Sequence, residues 1–286
     1  MRVDLRLYAL VDPERAGGHD LAVLARLVAL GGATLVQLRD KHSDTRRMVA
    51  RARAIKAELA SLNVPLLIND RIDVALAAGA DGAHVGQDDM AVEDARRLLG
   101  ADAIIGLSVK TVEQAEAAPL ELLDYAGIGG VFATASKDNP SPPIGPAGLA
   151  RIVGVLRRRA PRFPLCAIAG IDASNAGEAI VAGADGVAVI SALARKDDPR
   201  AAARDLRVHA DRDGAGEDLG DLRAQTLRTG LGAGVMYIWR VQKLLQICAL
   251  RRTVLFTPPH SPRGGVAQYL GRTSSNHPRT VNCCFL

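Results

Sequence analysis

The sequence predicts a (β/α)8 TIM barrel followed by an atypical C-terminal extension. Three observations carry that expectation. Short β-rich apolar runs alternate with longer helical ones over about the first 210 residues. There are eight such runs, each followed by a helix candidate, which is the number a closed barrel needs. AGADGAHVGQ at 78–87 is repeated as AGADGVAVIS at 182–191, an offset of 104 residues or about half the domain. Each copy follows an apolar run, PLLIND or PLCAIAG, so the copies fall on the fourth and eighth strands, as in a repeated half-barrel. A doubly wound open sheet is the alternative that alternation by itself allows.

In chain order, the strand candidates are 5–11, 34–39, 65–69, 82–85, 104–108, 125–132, 164–169 and 186–190. Helical periodicity marks 20–30, 45–62, 92–99 and 148–159, with a last helix at 198–212. Leu24, Leu27, Val28 and Gly31 show the i, i+3, i+4, i+7 spacing of a buried helix face. Gly79 and Gly183, in the two repeat copies, read as left-handed helix stops. Asp81 and Asp185 beside them then read as turn residues rather than catalysts.

The barrel domain is expected to span 1–212 and the extension 213–286. Composition shifts across 207–222. From Val208 onward there are 10 Lys/Arg against 5 Asp/Glu, leaving 26 of each before it. The net charge of +5 therefore belongs to the C-terminal part, which holds no acid after Asp221. Its structure is unassigned, disorder being one reading. VMYIWRVQKLLQICAL at 235–250 reads either as an amphipathic surface or partner helix or as an inert appendage. The start lacks the apolar core of a signal peptide, and no run reaches the roughly 20 apolar residues of a membrane span. Cys166, Cys248, Cys283 and Cys284 have neither zinc nor disulfide-framework spacing, so a cytoplasmic setting is expected.

In a barrel the strand C-termini and the loops after them form the active face. Asp70 ends the third strand and Asp89 follows the fourth. Adjacent strands lie about 4.8 Å apart, so two carboxylates there could share one Mg²⁺. Spacing alone equally allows both to be helix caps. QLRDK at 37–41 ends the second strand, where alternation points Gln37, Arg39 and Lys41 the same way. TASKDNPSPPIG at 134–145 suits a substrate loop and brings Lys137. AGI at 169–171 and IS at 190–191 end the last two strands, where barrels often cradle phosphate, and Gly170 permits close backbone approach. His84 reads as a core or supporting residue and Cys166 as buried and inert.

Taken in order, QLRDK, IND at 68–70, HVGQDD at 84–89, GLS at 106–108, FATASK at 132–137 with PPIG at 142–145, AIAGI at 167–171 and GADGVAVIS at 183–191 resemble the thiamine-phosphate synthase (thiamine-phosphate pyrophosphorylase) family. The resemblance covers roughly residues 5–207. It implies a Mg²⁺-dependent transferase joining a hydroxymethylpyrimidine diphosphate to a thiazole phosphate, plain or carboxylated, with release of diphosphate. Asp70 and Asp89 would bind one Mg²⁺. Gln37, Arg39, Lys41, Asn69, Ser108 and Lys137 would hold the pyrimidine diphosphate. Thr134, Ser136, Gly170, Ile190 and Ser191 would hold the thiazole phosphate, and Leu38, Asp40 and Ala135 lie among these binding residues. Arg39, Lys41 and Lys137 would stabilise the departing charge. Two departures stand out: Ala169 where members often have a first glycine, and Ser136 where they often have Thr. A thiazole tautomerase relative, or an inactive barrel whose basic tail touches nucleic acid or anionic lipid, are the rival readings. There is no nucleic-acid motif, a homo-oligomer is left open, and the sequence names no partner for the tail.

Overall fold

Strand β1 (Leu7–Val11) is buried at all five positions, as are β2 (Leu35–Leu38), β6 (Tyr125–Gly129) and β8 (Gly186–Val189). Burial on both faces agrees with the mainly apolar composition of these strands, Gln37 of β2 being the buried polar exception. The computed structural model describes residues 3–134, 142–194 and 197–212. With β3 (Leu66–Asn69), β4 (Gly82–Val85), β5 (Ile104–Val109) and β7 (Leu165–Ile168), the strands pair in chain order, all parallel, and β8 returns to β1. The sheet is therefore a closed barrel and not an open doubly wound one. Closure leaves no sheet edge. No helix of the described residues is long and apolar enough to cross a membrane.

Helices α1 (Leu21–Leu30), α2 (Thr45–Ala60), α3 (Ile72–Ala78), α4 (Val92–Leu99), α5 (Val112–Ala117), α6 (Gly145–Arg159) and α7 (Ala176–Val181) form the outer layer. After β8 come the short α8 (Ser191–Ala194) and the longer α9 (Pro199–Arg212). Caps lie where the sequence allows them. Asp20 accepts from the N–H groups of Ala22 and Val23, and Asp44 from that of Arg47. Gly79 ends α3 at φ 64°, and Gly183 follows α7 at φ 106°. Gly31, at the end of α1, is a packing glycine: a Cβ there would lie 2.4 Å from the Arg200 carbonyl oxygen and 2.6 Å from Ala203 Cβ. It lets α9 seat against α1.

The core has two parts. The larger one lies between strands and helices. The smaller fills the barrel bore and contains Tyr8, Leu10, Leu35, Leu67, Tyr125, Cys166 and Ala188. At the N-terminal mouth the same device occurs four times. The residue before each even-numbered strand, Thr34, Asp81, Asp124 or Asp185, accepts the N–H near the start of the preceding odd strand, from Leu7, Leu66, Ile105 or Leu165. The three aspartates are each paired with a cation from an even-numbered helix: Lys56, Arg96 and Arg157. Asp81 and Asp185 thus bind backbone at the end opposite the strand C-termini. The visible half-barrel repeat is two of four turns of this pattern.

Candidate active site

The strand C-termini gather the expected residues around one rim. Asp70 leaves β3 at φ 61°, a conformation Asp tolerates better than most residues. Lys41, beyond β2, forms an ion pair with it. Asp89, beyond β4, accepts the Gly86 N–H at 2.7 Å and faces Asp70. Burial pushes Asp70 above the ordinary carboxylate range; Lys41 opposes that shift and the neighbouring Asp89 adds to it. Neither carboxylate caps a helix: α3 and α4 start at Arg71 and Ala91 without a side-chain cap. The capping alternative is thus excluded for both. Two adjacent carboxylates form an oxygen-only donor set that fits a hard cation such as Mg²⁺, completed by water and substrate oxygens. Among the described residues no group of three or more His, Cys, Asp or Glu could hold a metal, so a protein-only cage is absent there.

Arg39 lies just past β2, its backbone N–H bonded to the Val11 carbonyl. Its guanidinium meets Asp12, which follows β1, at 2.5 Å, and both side chains are largely buried. Asp12 was not singled out in the sequence. The rule that exposed Asp70 and Asp89, charges just past neighbouring strands, would have found it. Asp40 turns the other way. Its carboxylate takes the Ser43 N–H and the Arg51 guanidinium and fixes the start of α2. The Leu38 side chain packs on the helix side of the sheet. Leu38 and Asp40 therefore have backbone atoms, not side chains, to offer a ligand at this rim.

Among the site residues described at this rim, two buried polar atoms lack a partner. Gln37 Oε1 and Asn69 Nδ2 are buried and unbonded. Leaving such an atom unsatisfied costs roughly 1–3 kcal/mol, so it calls for an occupant. Gln37 Nε2 donates to Tyr8 Oη at 2.5 Å, which lies 2.9 Å from Tyr125 Oη. Tyr125 Oη lies 2.8 Å from His84 Nδ1, and His84 Nε2 lies 2.9 Å from Ser108 Oγ. These five side chains cross the bore. Gly106 makes room for them: a Cβ there would be 2.1 Å from Tyr125 Cζ. His84 is thus a supporting residue held at both nitrogens, and Cys166 is buried in β7 with its thiol pushed up by that burial.

A cavity of about 930 Å³ opens at the ends of β7 and β8. Thr134, Gly170, Ile190 and Ser191 all line it, together with Ala169. Gly170 has φ 65°, and a Cβ on it would lie 2.3 Å from the Ala133 carbonyl oxygen. Ala169 has φ 90°, a conformation that costs an L-residue energy. Ala135, Ser136 and Lys137 lie outside the described residues, as does all of 213–286 with its 235–250 segment.

Residues 7–193 match the family model described as thiamine monophosphate synthase. The chain is 51% identical over 210 residues to a thiamine-phosphate synthase of Agrobacterium fabrum, covering 73% of this chain and 96% of that one. It is 48% identical over 203 residues to one of Albidiferax ferrireducens, covering 71% and 90%. Among solved structures, a thiamine phosphate pyrophosphorylase from Pyrococcus furiosus superposes with a TM-score of 0.64 at 34% identity, covering 74% of this chain and 98% of that one. Given this match through the whole barrel, the chain belongs to the thiamine monophosphate synthase family.

Proposed function

We propose that this enzyme joins a hydroxymethylpyrimidine diphosphate to a thiazole phosphate, releasing diphosphate and leaving thiamine phosphate. The observation that carries the reading is the rim itself. A facing carboxylate pair, two nearby cations and two buried amides with an unbonded atom each lie at the ends of β2 to β4, and a cavity large enough for a second substrate opens at the ends of β7 and β8 on the same strand-end face.

The chemistry asks little covalent work of the protein. The bond between the pyrimidine methylene and the diphosphate oxygen breaks, and its electron pair leaves with diphosphate. The ring amino group spreads the resulting positive charge, and the thiazole nitrogen attacks the methylene. Arg39, Lys41 and Lys137 counter the charge that builds on the leaving group. Gln37, Asn69 and Ser108 hold the pyrimidine. Thr134, Ser136, Gly170, Ile190 and Ser191 hold the thiazole phosphate so that its nitrogen points at the methylene. Asp12 keeps the Arg39 guanidinium aimed along the rim. A Mg²⁺ held by Asp70 and Asp89, when bound, would add charge stabilisation at the departing diphosphate.

Diphosphate release from the two substrates, with and without Mg²⁺, tests this in wild type and Asp89→Ala. Turnover should require Mg²⁺ and fall by on the order of a hundredfold or more in the variant. Equal turnover in a folded Asp89→Ala would remove the metal assignment, and no turnover in wild type would remove the substrate assignment.

A further inference from the structure

The chain Gln37–Tyr8–Tyr125–His84–Ser108 crosses the bore with each link between 2.5 and 2.9 Å. Its direction follows from donor and acceptor counting. An amide nitrogen can only donate, so the Tyr8 oxygen accepts from Gln37. If Tyr8 also accepted from Tyr125, its own proton would be buried with nothing to receive it, since Tyr8 is 2% exposed and Tyr125 fully buried. Tyr8 therefore donates to Tyr125. Tyr125 donates its single proton to His84 Nδ1. A neutral imidazole accepting at Nδ1 carries its proton on Nε2, which donates to Ser108 Oγ. The Ser108 oxygen is then an acceptor inside the barrel, and its own proton is left to point elsewhere. Burial pushes both tyrosine hydroxyls well up in pKa, so they stay neutral links.

We infer that this buried chain is a positioning relay: it locks His84 in the Nε2-protonated tautomer and thereby presents Ser108 to the substrate as a hydrogen-bond donor. The other end is set by the same logic. Gln37 uses Nε2 on Tyr8 and so offers Oε1, the unbonded buried atom, as an acceptor. A ligand ring with an amino group and a bare ring nitrogen meets an acceptor at one end and a donor at the other. Tyr8, Tyr125 and His84 touch no substrate in this scheme and act only through Gln37 and Ser108. The packing agrees with a built feature. Tyr8 and Tyr125 meet edge to face at 5.8 Å, and Gly106 and Gly127 lack the Cβ atoms that would crowd Tyr125 and His84.

The inference rests on Ser108 contacting the pyrimidine, so its test has one arm that does not use activity. Nitrogen-15 NMR of the histidines in the wild-type chain should show His84 with Nδ1 unprotonated and Nε2 protonated. In Tyr125→Phe, which keeps the ring and loses the hydroxyl, the tautomer should become mixed. A wild-type His84 protonated at Nδ1 would overturn the relay. The kinetic arm is a double-mutant cycle. Tyr125→Phe should lower kcat/KM for the pyrimidine diphosphate about tenfold, leave KM for the thiazole phosphate unchanged, and have no further effect in a Ser108→Ala background. An equal loss in both backgrounds would show that Tyr125 acts through packing alone and would overturn the positioning role. If Ser108→Ala itself leaves kcat/KM unchanged, the pyrimidine contact is wrong and the kinetic role falls with it, while the tautomer remains readable by NMR.

Discussion

Ala169 stands at φ 90°, where an L-side chain is strained, at the lip of the cavity that Gly170 and Ser191 also line. Replacing it with glycine removes the strained Cβ. Ala169→Gly should raise stability by roughly 1 kcal/mol, a rise of a few degrees in Tm, without loss of turnover. A lower Tm would mean that the methyl's packing, at 7% exposure, outweighs the backbone strain. Gly106 presents the opposite case. Its missing side chain is the space that Tyr125 fills, so Gly106→Ala should cost about 1–3 kcal/mol in urea unfolding and reduce activity together with it. Neither residue's conformation could be read from sequence. AIAGI and GLS mark the positions, but a φ value and a cross-strand ring are properties of the closed barrel. Gln37, Arg39, Asp70 and Asp89 were legible because each lies at or just past a strand end, and strand ends are visible in the chain. Tyr8, His84 and Tyr125 belong to three separate strands, and only their register around the bore brings them together.

Among the elements, the strands were readable to within a few residues, and the misjudged ends have physical causes. The apolar run expected to extend β6 to residue 132 leaves the ladder at Gly129, and Gly130 turns the chain at φ 75°. Val131 stays buried, and its N–H and that of Phe132 bond the carbonyls of Ile168 and Ala169 at the end of β7, out of the regular ladder register. Burial and regular ladder geometry part company there, and hydrophobicity reports only the first. Helices α5 and α7 have six residues each and α8 four, too short for periodicity to declare. At the N-terminal mouth, Asp185→Ala should cost roughly 1–3 kcal/mol by orphaning the Leu165 N–H and removing the ion pair with Arg157, which keeps the Pro161 and Phe163 carbonyls, with substrate KM values unchanged. Asp185→Asn, which keeps an acceptor, should cost less; a shifted KM in either would mean the two ends of the barrel are coupled. At the β2–α2 junction, burial pushes Asp40 up, but the N–H groups of Ser43 and His42 and the Arg51 guanidinium outweigh it, so its carboxyl titrates below the ordinary range. A depressed folded pKa stabilises above the unfolded value and is lost as pH falls through the folded one. The advantage of wild type over Asp40→Asn in urea should therefore shrink between neutral pH and acid below about 3.9, and an advantage independent of pH would contradict the ion pair.

For the molecule as a whole, the question is how much of the chain the barrel needs. The family match ends at residue 193, yet α9 completes the helical layer outside the closed barrel. Ala203 and Leu206 are buried against the outer core, Gly31 admits the α9 backbone, and Arg207 donates to the Gly32 carbonyl at 3.0 Å. Asp198 caps the helix by accepting the Ala201 N–H. A chain cut after Asp198 exposes the face of α1 that α9 covers and loses the burial of Leu206, worth about 1.5–3 kcal/mol, with that of Ala203 and Ala210, a large share of a domain's marginal stability. It should fail to fold. Beyond α9 the argument reverses. A match of 210 residues covers 96% of one relative, and every residue assigned to the site precedes Val208 in the sequence. A chain cut after Arg212 should therefore keep its Tm and its kcat/KM for both substrates within about twofold, well under the tenfold that one lost hydrogen bond can cost. Thermal unfolding and diphosphate release, measured on the two truncations beside the full chain, separate the cases. A folded 1–212 chain without activity would assign the extension a part in catalysis that the barrel does not supply, and a folded, active 1–198 chain would show that the barrel does not need α9 over α1.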